Sequence, residues 1–403
     1  RRYNKSLNEN LIYSSNTTVD ISTVNILENE NRIPVNYVLP PDIQREQINN
    51  NNTIVRQNEQ SLSFRVCNLK PMDYRGIFKN VDVDLRQYKK LKMYIHAESI
   101  QGNNPLPGEG NFDEHDRRLV AFLRLGTDYQ DNYYQIEVPL KPSKFIENSS
   151  NRMSAEDVWN PDTNSIDFPV ELLSKIKSKY LTKNSSTEAS FYDEEMNEVD
   201  EFTLISKLSG SKHYRISVKG NPSLGSIRTM MIGVKNPSTI VGDNLCGEVW
   251  FNELRIAGID NSGGWASIGS IDGNMADFLN FSGNTRYSSI GFGSIDQSPN
   301  QRTREELFQY DFTTAGDVAK LLPASFGIQI PLNYSVGEVI ISPEFDPFYQ
   351  DIKLKDRIDA SSSNDEKNKI REQAIDYTKR KNISIVGIKK ISNLDKKKFY
   401  NIE

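Results

Sequence analysis

The sequence predicts an all-β chain of two textures: a two-sheet sandwich of jelly-roll type, then antiparallel strands of about ten residues each. Three observations predict it. Hydrophobic residues make up 36% of the 403, yet aromatics reach 10%, and Tyr and Phe are strand formers. No apolar run reaches the length of about 18 residues that a spanning helix needs. Apolar and polar residues alternate in many segments, the period of a strand whose side chains point to opposite faces in turn.

Residues 1–55 are Asn-rich and broken by "LPPD". They read as an extended linker with one strand near Ile33–Leu39. The sandwich is expected over residues 56–258. "QSLSFRVCNL" puts Leu62, Phe64 and Val66 on one side, and "LRQYKKLKMYIHAES" becomes a strand at Leu91–Ala97. "RRLVAFLRLGTD" and "NYYQIEVPL" are strands joined by the turn "GTDYQDN". "VELLSKIKSKYL" is a short helix inside a long insertion, and "DEEMNEVDEF" is an acidic surface run. "KHYRISVKGNPSLGSIRTMMIGVKN" gives two strands about a Gly/Pro turn. "GEVWFNELRIAGID" closes the region with Val249, Phe251 and Leu254 apolar. Cys67 and Cys246 read as two separate small side chains; a disulfide between them would require an oxidising compartment.

Over residues 259–343, Gly and Ser become frequent and charge thins. Four strands are expected: Trp265–Met275, Phe278–Ser288, Phe308–Val318 and Phe326–Val336. The second sets Leu279, Phe281 and Tyr287 against Asn280, Ser282, Asn284 and Arg286. The third sets Phe308, Tyr310 and Phe312 against Gln309, Asp311 and Thr313. The fourth sets Phe326, Ile328, Ile330, Leu332 and Tyr334 against Gln329 and Asn333. Pro331 interrupts the fourth and reads as a bulge or as a strand beside a seam. Soluble antiparallel sheets alternate in the same way, so the pattern alone leaves the medium open. In residues 344–403, "NDEKNKIREQAIDYTKRK" predicts a helix at 364–380, capped by Asn364 or Asp365 and supported by Asp376 with Arg380. "ISIVGIKKI" then reads as a further strand.

Composition and motifs exclude several functions. With 49 basic and 54 acidic residues, there is no basic excess to hold nucleic acid. His96, His115 and His213 lack metal-ligand spacing. No nucleophile elbow, P-loop or dinucleotide fingerprint is present, and "GFGSID" is a lone G-x-G between strands. Asp82, Asp84 and the acidic run at 193–201 read as a solvated face in preference to a calcium site. No enzyme activity, cofactor or metal is expected. The opening "RRYNKSLNEN" and the closing "KKKFYNIE" read as the ends of an internal fragment, so missing targeting signals carry no information.

The stretch "GEVWFNELRIAGIDNSGGWASIGSIDGNMADFLNFSGNTRYSSIGFGSIDQSPNQRTRE" resembles the SprA family, the giant outer-membrane translocons of the type IX secretion system that also support gliding motility. The resemblance continues through "QYDFTTAGDVAKLLPASFGIQIPLNYSVGEVIISPEFDPFYQDIKLKD". Upstream, "RLGTDYQDNYYQIEVPL" and "SVKGNPSLGSIRTMMIGVKNP" are similar too. The family implies that residues 259–343 are transmembrane β-barrel strands, that the sandwich is an extramembrane insertion, and that 344–403 is an extramembrane loop with its helix. The apolar parity would then meet outer-membrane lipids and the polar parity a wet lumen. Implied partners are the remaining barrel of the parent chain, an outer-membrane barrel partner, a plug protein and folded secreted cargo. Two other classes fit the sandwich: a cell-surface carbohydrate-binding or adhesion module, and a secreted polysaccharide-cleaving enzyme with two carboxylates in a groove.

Overall fold

Phe64, Val66 and Leu69 are fully buried, and they enter a core shared by two antiparallel sheets. The computed structural model describes residues 2–3, 6–8, 16–45, 47–50, 53–100, 119–143, 152–183, 187–201, 211–276, 278–323, 326–361 and 363–390. These fall into two units, 1–260 and 261–403. His115 lies outside the described residues.

In the first unit the strands are β1 (Thr18–Asn25), β2 (Gln60–Leu69), β3 (Tyr74–Val83), β4 (Tyr88–Ser99), β5 (Val120–Gly126), β6 (Tyr133–Pro139), β7 (Ile166–Pro169), β8 (Thr187–Tyr192), β9 (Tyr214–Lys219), β10 (Ile227–Lys235) and β11 (Leu245–Ile259). One sheet runs β3-β10-β5-β6-β9-β8, with two-residue strands at each edge, and the other runs β7-β4-β11-β2-β1. Their inner faces meet through Ile95, Phe64 and Val249 on one side and Leu123, Ile136 and Ile216 on the other. Val249 pairs directly with Phe64, so β2 and β11 are neighbours.

The helix expected in "VELLSKIKSKYL" is present as Glu171–Lys183, and it buries Leu173 and Ile176 in the same core. Thr18–Asn25, in the stretch expected as a linker, is a strand paired with β2. Residues 33–39, expected as a strand, form a loop that buries Val35 and Tyr37. That loop packs on the outer face of β11, where Tyr37, Trp159 and Trp250 form a second cluster. Trp159 donates to the Val38 carbonyl at 2.9 Å, which fixes the loop without a ladder. Leu254 departs from Val249 and Phe251 because β11 changes register between Asn252 and Arg255, with Glu253 at φ +53. It is consequently exposed.

The reading of Cys67 and Cys246 as separate side chains is corrected: they form a disulfide, with Cα atoms 4.1 Å apart. Thr18 pairs with Cys67, and Leu245 with Leu69 before a register shift, so both cysteines sit where neighbouring strands bulge together.

The second unit holds β12 (Ala266–Met275), β13 (Leu279–Ser288), β14 (Glu305–Asp317), β15 (Pro331–Pro343) and β16 (Asp376–Ile385), hydrogen-bonded in that order as an antiparallel meander. Two expectations shift here. The fourth strand begins at Pro331 and not at Phe326, because a residue without an N–H is tolerated at a strand's first position. Val318 donates to the Ile330 carbonyl at 3.0 Å and Ile330 to the Asp317 carboxylate at 2.8 Å, which closes the ladder at that junction. β15 has β14 on one side and β16 on the other, so neither a bulge nor a seam is needed there. The helix expected at 364–380 stops at Ala374, and Ser363 caps it by accepting from Glu366 N–H. Asp376 and Arg380 are strand residues, not a helical pair. Among the described residues none of the sheets closes on itself.

Candidate functional site

The five-stranded sheet of the second unit has two faces of opposite chemistry. Register partners across antiparallel strands share a face, and residues two apart along a strand return to it. Pairing aligns Met275, Leu279, Leu332 and Ile385 in one row. Two residues along each strand lie Phe281, Tyr334 and Ile383, then Ile271, Phe312 and Val336. The final row of that face is Tyr287, Phe308, Ile340 and Tyr377. Trp265 packs on Tyr287 with ring centroids 4.6 Å apart, so aromatics gather at this end.

The intervening rows form the other face. Asn274, Asn280 and Asn333 align, then Asp272, Ser282, Thr313 and Asn382, then Asn284, Asp311 and Arg380. Arg286 and Gln309 follow. A hollow of about 610 Å³ lies against this polar face, between its first two rows. At these rows the concave side of the sheet is its polar side, lined by Asp272, Asn280, Ser282, Thr313 and Asn333.

Several apolar side chains on the outward face stand open among the described residues. Ile271 is 61% exposed, Ile383 66% and Phe312 36%. Such a largely apolar face on a folded sheet marks contact with a partner or with lipid. Glycines let large neighbours lie flat on it: a Cβ at Gly273 would stand 2.2 Å from Phe281 Cζ. Charge breaks the face in two adjacent rows, the first where Lys381 pairs with Val336 in the row of Ile271 and Phe312. Lys379 pairs with Glu338 one row short of the aromatic end, and the hydroxyls of Tyr310 and Tyr377 also reach that carboxylate. From the row of Arg286 and Gln309, which also holds Ile268 and Val339, the division of faces fades. Leu307 and Ile341 lie on the otherwise polar side, and Tyr287 donates to Glu306 at 2.6 Å.

Leu279, Phe281, Tyr287, Phe308, Tyr310, Phe312, Leu332 and Tyr334 thus share the apolar face, and Asn280, Ser282, Asn284, Arg286, Gln309, Asp311, Thr313 and Asn333 share the polar one. Phe326, Ile328, Ile330 and Gln329 are not in this sheet, and Ile328–Gln329 pairs instead with Lys389–Lys390. Sequence reading missed Tyr377, Ile383 and Ile385, which had been assigned to helix or to a separate strand. Tyr377, Ile383 and Ile385 share one parity of "DYTKRKNISI", a signal weakened by Lys379 and Lys381 on the same parity.

A family described as motility related/secretion protein, SprA_N, matches residues 1–358. The chain belongs to the SprA family. The match covers both sheets of the first unit and β12 to β15 of the second, and it ends inside the helix Leu354–Ala360. Membership assigns the chain to motility and secretion. The comparison with curated proteins returns no match. No helix among the described residues is long and apolar enough to cross a membrane.

Proposed function

We propose that the five-stranded sheet is an arc of outer-membrane β-barrel wall, its apolar face on lipid and its hollow polar face on a water-filled lumen. The observation that carries this is the coincidence of curvature and chemistry: the sheet curls around the face lined by Asn, Ser, Thr and Asp. A soluble sheet would curl the other way, around its apolar side, to bury it. The dimensions agree. Nine residues from Leu279 to Tyr287 span roughly 26 Å along the strand, and about 20 Å of height at the usual tilt, against an apolar band of about 25 Å. The aromatic row fits one interfacial girdle, and Glu338–Lys379 next to it fits the level where a charged pair reaches water.

In this reading the chain is part of a giant translocon that exports folded cargo through the type IX secretion system and supports gliding. Its partners are the remaining barrel of the parent chain, an outer-membrane barrel partner and a plug protein. No reaction is assigned to it. The first unit is a jelly roll outside the membrane. Its strand orders β3-β10-β5-β6 and β7-β4-β11-β2 support this, since the returning strands β10 and β11 insert between earlier ones in both sheets. The disulfide favours an extracytoplasmic setting.

The test is site-directed spin labelling of the membrane-inserted protein, with accessibility to oxygen and to a water-soluble nickel chelate. Labels replacing Phe281, Phe312 and Val336 should favour oxygen; labels replacing Asn280, Asn284 and Thr313 should favour nickel. Equal nickel accessibility on both sets would refute the lipid assignment.

A further inference from the structure

The eight-stranded sheet of the first unit buries one face in the core and turns the other to a cleft of about 620 Å³. Along β5, β6 and β9 the core takes Leu123, Leu125, Tyr134, Ile136 and Ile216. The alternate residues Phe122, Arg124, Gln135, Glu137 and Arg215 face the cleft side. Outward residues on an open sheet are ordinarily solvated, but here Arg124, Gln135 and Glu137 are 5%, 3% and 3% exposed.

They form one network. Glu137 accepts from Lys235 at 2.9 Å, Arg215 at 2.9 Å and Gln135 at 2.5 Å. Arg124 Nε donates to Gln135 at 2.8 Å, its Nη1 donates to the Tyr129 carbonyl, and its guanidinium lies 3.8 Å from the Tyr133 ring centroid. Burial pulls the Arg124 pKa below its ordinary value, which measures how unfavourable this placement is for a guanidinium. Arg124 Nη2, and Nε and Nη2 of Arg215, donate to no acceptor among the described residues. The nearby carboxylates are already occupied: Asp128 accepts from the N–H groups of Gln130, Asp131 and Asn132, and Asp131 pairs with Lys219 at 3.5 Å. What the cleft has left to offer is donors, held rigidly beside aromatic rings.

We propose that this cleft binds an acidic oligosaccharide, its carboxylate on Arg124 and Arg215 and its pyranose faces against Tyr133 and Tyr74. Planar guanidinium and amide groups match the paired oxygens of a uronic acid, and a ring face meets the apolar face of a sugar. A peptide is disfavoured because the floor strands β5, β6 and β9 are paired on both sides and offer no free edge for strand addition. The cleft holds a single carboxylate on its floor, Glu137, saturated by three donors, so it lacks the pair that sugar cleavage would need.

The test is calorimetric titration of the full chain, disulfide intact, with tri- to hexagalacturonate, the same oligomers fully methyl-esterified, and polyglutamate. The expected result is saturable galacturonate binding, at least tenfold weaker for the methyl ester and weaker still for polyglutamate. Arg215→Gln, with its thermal midpoint checked, should lower galacturonate affinity at least tenfold, while the distant Lys179→Gln should leave it unchanged. The ligand comparison needs no variant, so a misfolded Arg215→Gln cannot rescue the idea. No saturation by galacturonate in the millimolar range, equal binding of the ester, or equal binding of polyglutamate overturns it.

Discussion

Cys67 and Cys246 are 179 residues apart in sequence and bonded in space. Nothing in the spacing of two cysteines reveals this; it follows from β2 and β11 being neighbours, which is a property of topology. A cross-link closing so long a loop contributes up to about 5 kcal/mol in the chain-entropy account. Cys67→Ser with Cys246→Ser should therefore lower the denaturant midpoint of the first unit markedly, and an unchanged midpoint would show the link to be dispensable. Glu98 makes a second residue-scale claim. Burial opposes its ionisation, but hydrogen bonds from His96 and Arg32 outweigh burial and hold the carboxyl below its ordinary 4.5. A carboxyl lowered on folding adds stability above its unfolded pKa, and that stability is lost as pH falls through the folded value. Unfolding free energy should thus decline on acidification from about pH 4.5 downward, and Glu98→Gln should flatten that decline. Identical acid limbs for the two proteins would remove Glu98 from the account.

On the scale of single strands, parity sets the expectations. Phe281→Arg or Phe312→Arg would place a cation on the apolar face, at a cost of roughly 2–4 kcal/mol near a bilayer midplane. Ser282→Arg or Asn284→Arg, one residue away, would place it against water. The membrane-inserted fraction should fall for the first pair and hold for the second; equal losses would contradict the assignment. Gly273→Val should also impair insertion, because Phe281 occupies the space its side chain needs and overpacking costs about 1–3 kcal/mol. Alternation made β13 and β14 legible, since every second residue there differs sharply in polarity. It placed the fourth strand wrongly because Phe326, Ile328 and Ile330 continue the period of Leu332 and Tyr334 across Pro331, and a period cannot say where pairing starts. It missed β16 because "KRKN" supplies charge at both parities, and an adjacent capped helix made the whole stretch look helical. Leu254 was misplaced by a bulge that no local residue signals.

Taken as a whole, the second unit is an arc with two open edges, β12 and β16. An open edge in hydrocarbon would leave a row of backbone N–H and C=O groups without water or partners, at several kcal/mol each. If the apolar face meets lipid, both edges must be continued by strands outside the described sheet. β12 is suited to that: Gly269 and Gly273 leave its outward face low, so a neighbour's side chains can lie across it as Phe281 already does from the other side. β16 carries Tyr377, Ile383 and Ile385 on the apolar face, with Lys379 and Lys381 between them on the same face, so charge blunts the middle of this edge while its two ends stay apolar. Hydrogen exchange distinguishes an edge that is continued from one that ends. In the isolated chain in detergent, about half of the amides in residues 266–275 and 376–385 should exchange quickly, since one side of each strand lacks acceptors. In the assembled membrane protein the same two peptides should be protected to the level of β13 and β14. Fast exchange of either edge in the assembled state would mean that the edge faces water, and the sheet would then be an extramembrane surface whose apolar face is covered by protein.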